Sequence, residues 1–215
     1  MSAHVLVVAK APEPGRVKTR LGAEVGMERA AELAAASLLD TLAASAAAVG
    51  PERCHLSLAG DLGRATGAAE LRMALTGWTV HPQGVGGLGA RLADAHARVP
   101  GPVVQVGMDT PHVTAELLLG AAAGLADHDA VLGPAEDGGW WLLALREPAA
   151  ATALTDVPMS RPTTCVDTRS ALVAAGLEVG TTATLRDVDE VPDAAAVARL
   201  APRTRFAAAW GRVAS

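Results

Sequence analysis

Val5-Leu6-Val7-Val8-Ala9 runs directly into Lys10-Ala11-Pro12-Glu13-Pro14-Gly15-Arg16-Val17-Lys18-Thr19-Arg20-Leu21. The first five residues are an unbroken apolar run, as expected of a strand buried on both faces. Such a strand belongs to a sheet covered by helices. The Pro/Gly-rich segment after it leaves the strand as a loop, and it carries Lys10, Arg16, Lys18 and Arg20. In open α/β sheets, ligands sit beyond the carboxyl ends of the strands. A loop of cations at such an end is therefore the first place to look for chemistry.

Outward from this stretch, strand and helix patterns alternate. Residues 27–48 have Ala and Leu at helical spacing and stop at Gly50-Pro51. Strands are expected at 55–59, 78–80, 102–107, 129–133 and 140–145, with a final one inside 177–185. Helices are expected at 61–75, about 90–98, 114–125, 165–175 and 193–200, and the tail to Ser215 can be helical. Alternation of this kind predicts βαβ units and a mostly parallel central sheet flanked by helices. No repeat or linker divides the chain, so residues 1–215 are expected to form a single domain. The loops after strands, where ligands should bind, are 10–21, 84–91, 108–112, 134–139 and 187–190.

Composition narrows the function. Half of the residues are apolar, with no Tyr and one Phe, so Ala, Val and Leu must fill the core. The net charge is −5 with no basic excess, which argues against a nucleic-acid surface. Cys54 and Cys165 make neither a disulfide framework nor a zinc motif. Lys10 interrupts any signal-peptide core. The Ala-rich stretch 30–49 is broken by Glu32, Asp40, Thr41 and Ser45, and is expected to be too polar to span a bilayer. A soluble cytoplasmic protein follows as the expectation.

The basic loop has a second peculiarity. The chain has 18 Lys plus Arg, and its only lysines are Lys10 and Lys18, both in this loop. Lys offers a compact point charge and Arg a planar fork, and a clamped phosphate chain can use both. Gly15 lets the backbone approach, and a following helix would add N–H donors. The alternative is a solvated basic turn. The loop is neither a Walker A motif nor a Gly-x-Gly-x-x-Gly fingerprint.

The acidic positions each have two readings. Asp109, just past an apolar strand, can hold Mg²⁺, or it can cap a helix starting near Thr114. Asp187 and Asp189 point the same way on an extended segment, or they form a polar turn with Asp193 as a cap. Asp137, in Glu136-Asp137-Gly138-Gly139, can bind an acceptor or act as a base, while Asp-Gly is also a hairpin signal. His112 can line a pocket, but a lone His is more often a surface or supporting group. Trp140 and Trp141 are expected to divide between core and pocket wall.

The loop Ala9 to Leu21 resembles the opening motif of a family of small GT-A-like transferases, the radical-SAM/selenodomain-associated glycosyltransferases. The resemblance runs over nearly the whole chain and includes Gly107-Met108-Asp109-Thr110-Pro111, Gly133-Pro134-Ala135-Glu136-Asp137-Gly138-Gly139 and Asp187-Val188-Asp189. Lys18-Thr19-Arg20-Leu21 is more distantly similar to the Lys-x-Arg-Leu loop of 2-phospho-L-lactate guanylyltransferases. Gly87-Leu88-Gly89 is similar to a Gly-Leu-Asn segment at the base, with Gly in place of Asn. Met159-Ser160, Trp140-Trp141 and Glu190 depart from the family's usual residues and bear on the acceptor.

The resemblance implies a Rossmann-like GT-A (nucleotide-diphospho-sugar transferase) fold, shared with molybdenum-cofactor guanylyltransferases. It implies Mg²⁺ (or Mn²⁺) on Asp109 and Asp189, catalytic roles for Lys18, Arg20 and Asp109, and substrate contacts from Lys10, Gly15, Arg16, Gly87, Leu88, Asp137 and Gly138. The leading expectation is a nucleotidyltransferase that joins an NTP to a phosphorylated or phosphonate-type acceptor and releases pyrophosphate. A GT-A glycosyltransferase using an NDP-sugar and a non-catalytic nucleotide sensor are the alternatives. The expected partners are a nucleotide and a small acceptor, with no nucleic acid and no membrane. A homodimer is one open assembly.

Overall fold

The computed structural model describes residues 3–213. The apolar run forms β1 (His4–Lys10). The chain continues through α1 (Thr19–Val25), α2 (Met27–Val49), β2 (Cys54–Ala59), α3 (Ala68–Ala74), β3 (Thr79–Pro82), α4 (Leu88–Ala97) and β4 (Val103–Val106). It then runs through α5 (Ala115–Gly124), β5 (Ala130–Pro134), β6 (Trp140–Leu145), α6 (Thr164–Ala174), β7 (Val179–Thr181), α7 (Val191–Leu200) and α8 (Arg205–Val213).

The seven strands make one sheet in the order β3-β2-β1-β4-β6-β5-β7. β1 pairs in parallel with β2 and β4, and β5 with β7, while β6 is antiparallel to both its neighbours. The sheet is therefore mostly parallel, as the alternation predicts. Every strand except β6 ends at the same edge, which gathers the loops after β1, β4, β5 and β7.

Alternate residues of β1 face opposite layers. Val5, Val7 and Ala9 pack under α2 and α5, and Leu6 packs with Leu92, Leu143 and Leu154 on the other face. A third cluster joins Leu21, Leu33, Val197 and Phe206, and so ties α1, α2, α7 and α8 together. With no Tyr and one Phe, the layers close on small side chains, as the composition requires.

Three expectations need correction. The loop 10–21 ends early, because α1 begins at Thr19. The helix expected over 61–75 is a short 3₁₀ turn, Leu62–Arg64, then α3, broken at Gly67 with φ 71°. A further 3₁₀ segment, Pro148–Leu154, has no sequence signal. The Ala-rich stretch also differs: by length and composition Met27–Val49 is apolar enough to cross a membrane, despite its polar interruptions. Its apolar surface is largely buried in the core, and its hydroxyls are satisfied there, Thr41 donating to the Ser37 carbonyl and Ser45 to that of Thr41.

Candidate functional site

A cleft of about 800 Å³ opens at the carboxyl edge of the sheet. Its first wall is the loop after β1. Lys18 there adopts left-handed φ/ψ (46°, 44°) as the residue that starts α1. This turns its side chain inward, where it is 7% exposed. The Nζ stands 2.5 Å from Asp109 Oδ1 and 3.2 Å from Asp189 Oδ1, and it also donates to the Val188 carbonyl. Burial alone would pull the ammonium's pKa down. The facing Asp109 and Asp189 carboxylates outweigh that, so it ends above its ordinary value. Arg20 Nη2 lies 2.5 Å from Asp189 Oδ2, and its Nη1 donates to Glu190 at 3.3 Å.

The acids are held from behind. Ser37 Oγ donates to the Met108 carbonyl at 2.5 Å, which ties the Asp109 loop to α2. Val188 N donates to the Asp109 carbonyl at 2.9 Å, joining that loop to the segment after β7. Asp193 accepts from the backbone N–H of Asp189 and Glu190 as part of a capping box on α7. The cap expected of Asp193 is thus present. The cap of α5 is Thr114, which accepts from Leu117 N, so Asp109 is not spent on capping.

Asp187 is the third carboxylate of the cleft. Burial first, then the Asp109 charge, with a smaller contribution from Asp137, pushes it up to about 7; Lys18 and a 3.2 Å hydrogen bond from Thr110 Oγ1 work the other way. This is a carboxyl short of nearby positive charge.

Asp137 and Gly138 form the turn of the β5–β6 hairpin, the alternative reading of that motif. Asp137 Oδ1 accepts from Gly139 N at 2.8 Å, and the Asp137 side chain still lines the cleft. Gly138 has φ 89°, and a Cβ there would lie 2.0 Å from the Pro162 carbonyl oxygen. Its close approach is therefore to backbone, not to a ligand. Pro162 belongs with Ser160 and Arg161 to the facing wall. At the other end, Gln83 donates to the Ala9 and Ser57 carbonyls and accepts from Arg91 Nη1 at 2.8 Å.

Lys10, Arg16, Lys18, Arg20, Leu88, Asp109, Asp137 and Asp189 all line the cleft. Gly15, Gly87 and Gly138 do not. Gly15 supplies a turn with φ 74°, and Gly87 starts α4. At Gly89 a Cβ would lie 2.0 Å from the Leu154 carbonyl oxygen, so packing leaves no room there for a side chain. His112 lies instead against a smaller cavity with Glu136 and Arg186. Trp141 is buried and donates to the Ala183 carbonyl, while Trp140 is half-buried and donates to Thr168. Sequence reasoning missed Arg91, Gln83, Thr110 and Arg161 as side chains of the cleft. Nothing in their local pattern marks them.

A family model described as "Uncharacterized protein conserved in bacteria (DUF2064)" matches residues 41–161, more than half of the chain. The chain belongs to the DUF2064 family. The match leaves out the loop of Lys18 and the segment of Asp189 but includes Asp109. No curated protein matches this DUF2064 chain. Among solved structures it is similar to a Desulfovibrio desulfuricans G20 protein assigned by name to the nucleotide-diphospho-sugar transferases, with 28% identity, TM-score 0.85, and coverage of 99% of this chain and 95% of that one. It shares its fold with 4-diphosphocytidyl-2C-methyl-D-erythritol synthase from Anaerococcus prevotii DSM 20548, at 11% identity and TM-score 0.60, covering 94% and 100% of the two chains. It also shares it with Rv0371C from Mycobacterium tuberculosis H37Rv, solved in complex with manganese, at 21% identity and TM-score 0.50, covering 92% and 98%. The fold is that of the nucleotide-diphospho-sugar transferases.

Proposed function

We propose that this chain is a metal-dependent nucleotidyltransferase acting on an NTP and a phosphorylated small acceptor. The observation that carries the reading is the Lys18 ammonium lodged between Asp109 and Asp189. Two carboxylates from separate loops converge on one cation.

The donor set fits Mg²⁺ or Mn²⁺. Among the described residues no three His, Cys, Asp or Glu side chains form a closed cage. Mg²⁺ commonly takes only one or two carboxylates and completes its shell with waters and substrate phosphates. Asp109 and Asp189 would hold the ion, which neutralises charge on the phosphates when bound. Rv0371C, with its manganese, is a precedent for a metal on this fold.

The cleft suits anions. Six cationic and four carboxylate side chains line it, in a protein of net charge −5. Lys10 and Arg16 flank the acids and bind the nucleotide's phosphates, and Lys18 and Arg20 exchange their carboxylate partners for phosphate oxygens. An oxygen of the acceptor's phosphate forms a bond to the α-phosphorus while the bond to the β-phosphate bridge breaks, and pyrophosphate leaves with the electron pair. A deprotonated phosphate acceptor releases no proton in this step, so no general base is needed. Positioning and charge stabilisation carry the rate.

The name of the Desulfovibrio desulfuricans relative favours a second reading, glycosyl transfer from an NDP-sugar. Incubation with NTPs or NDP-sugars and a panel of phosphorylated acceptors separates the two. Release of pyrophosphate from an NTP supports the proposal. Consumption of an NDP-sugar alone, with free NDP released, overturns it.

A further inference from the structure

The loop after β1 is bonded to the connection between β2 and α3. Ala11 N donates to the Ala59 carbonyl at 2.7 Å, and Thr66 N donates to the Pro12 carbonyl at 2.9 Å. Between these anchors and Arg16 lies one turn. Arg16 N donates to the Glu13 carbonyl at 3.1 Å, and the central residues are Pro14 and Gly15, the latter with φ 74°. That is the pattern of a type II β-turn: proline sets the first central φ, and glycine supplies the positive second one. The turn ends at Arg16, which lines the cleft, and Lys18 follows shortly after it.

Glu13 opens this turn, in a place unusual for a charge. Its side chain is 7% exposed, and its ion partner among the described residues is Arg64, whose Nε stands 3.4 Å from Oε2. The carboxylate lies against Gly60, φ 93°, where a Cβ would come within 3.2 Å of Oε1 and 3.1 Å of the Ala11 Cβ. Arg64 is presented by the 3₁₀ turn Leu62–Arg64, capped by Asp61, which accepts from Gly63 N at 2.7 Å. Neither Glu13 nor Arg64 lines the cleft. Burying a carboxylate costs solvation, and near a phosphate site it also repels the ligand. A neutral side chain of the same size would fill the space with neither penalty. The charge therefore acts through the pair, which fastens the first residue of the turn to the connection after β2.

We infer that Glu13 is a positioning residue: clasped by Arg64 against Gly60, it holds the turn that delivers Arg16 and Lys18 to the nucleotide's β- and γ-phosphates. This rests on the nucleotidyltransferase reading and adds the connection after β2 to its phosphate clamp. Charge and position have opposite consequences here. Were charge alone at work, Glu13→Gln would tighten phosphate binding and Arg64→Gln would weaken it. With position in control, both weaken it by the same step.

The test is calorimetric binding of the α,β-methylene analogues of ATP, CTP, GTP and UTP to the full chain with Mg²⁺, beside the matching nucleoside monophosphates, which lack the β- and γ-phosphates. For the analogue that the wild type binds, Glu13→Gln and Arg64→Gln each weaken affinity about ten-fold. The monophosphate changes by no more than about two-fold. The double variant loses no more than either single one, as expected of one interaction removed twice, and Arg64→Lys keeps part of the affinity. Arg64 is mostly exposed, so Arg64→Gln tests the pair even where Glu13→Gln disturbs the fold. Tighter analogue binding in Glu13→Gln, losses that multiply in the double variant, or equal losses for analogue and monophosphate overturn the inference and leave nucleotide binding standing. Absence of analogue binding in the wild type removes both readings.

Discussion

Lys18 Nζ stands 2.5 Å from Asp109 Oδ1, although the two residues come from loops at the ends of different strands, β1 and β4. The ammonium is buried and the carboxylate half-exposed. The pair therefore ties the loop after β1 to the loop after β4.

Replacing Lys18 by Met removes the charge and keeps the length of the side chain. It leaves Asp109, Asp187 and Asp189 facing one another. Loss of one partner of a buried pair is strongly destabilising, and solvent at Asp109 and Asp189 reduces this to about 1–3 kcal/mol. The urea midpoint is expected to fall, and Mg²⁺ to restore more stability to Lys18→Met than it adds to the wild type. Equal Mg²⁺ effects on the two proteins would count against the carboxylates as the cation's ligands.

Gly138→Ala combines a positive φ with a Cβ directed at the Pro162 carbonyl. Backbone cannot give as a side-chain end can. A loss of about 2 kcal/mol or more is expected, with the Ser160–Pro162 wall displaced. Acceptor KM should rise while nucleotide KM stays near the wild-type value. Unchanged urea stability would show that the wall yields without cost.

Much of this architecture was readable in the chain. Val5 to Ala9 specifies a strand covered on both faces, and the Ala/Leu spacing of 27–48 specifies α2. α1 escaped because it has only seven residues and contains Gly22, whose missing Cβ makes room for the Met27 sulfur. The direction of β6 depends on pairing with β4, far away in sequence, although Asp137-Gly138 already carried a hairpin signal. Within the cleft, Lys18, Asp109 and Asp189 stood out by residue type and position. Arg161 did not, because it joins the cleft through the packing of the segment before α6 against the β5–β6 turn, a property of three-dimensional structure. Gly15 shapes a turn, Gly87 starts α4 and Gly138 makes a close backbone contact with Pro162, roles that residue type alone does not reveal.

Stability should also depend on pH through two buried histidines. Burial lowers His55 to about 4, with help from the nearby His4 and His81 charges. Burial lowers His96 to about 4 against the hydrogen bond with Gln105. The unfolded chain takes up these protons near the ordinary value of about 6.5. Each contribution is therefore complete above that value, falls as pH drops toward 4, and levels off below it, with a change of about 2–3 kcal/mol per histidine. Urea midpoints at stepped pH values should decline through this window, and His96→Gln should flatten part of the decline. A wild-type profile that stays flat through the window would contradict neutral buried imidazoles.

The most direct test of the central claim is thermal unfolding of the wild type and Asp109→Asn with each NTP, with and without Mg²⁺. At a hundred-fold excess over Kd, a bound nucleotide adds about 2.7 kcal/mol, or about 5–10 °C for a chain of this size. At least one NTP should produce such a shift in the wild type only when Mg²⁺ is present, and Asp109→Asn should lose it. No shift with any NTP, or a shift indifferent to both Mg²⁺ and Asp109, would contradict the account.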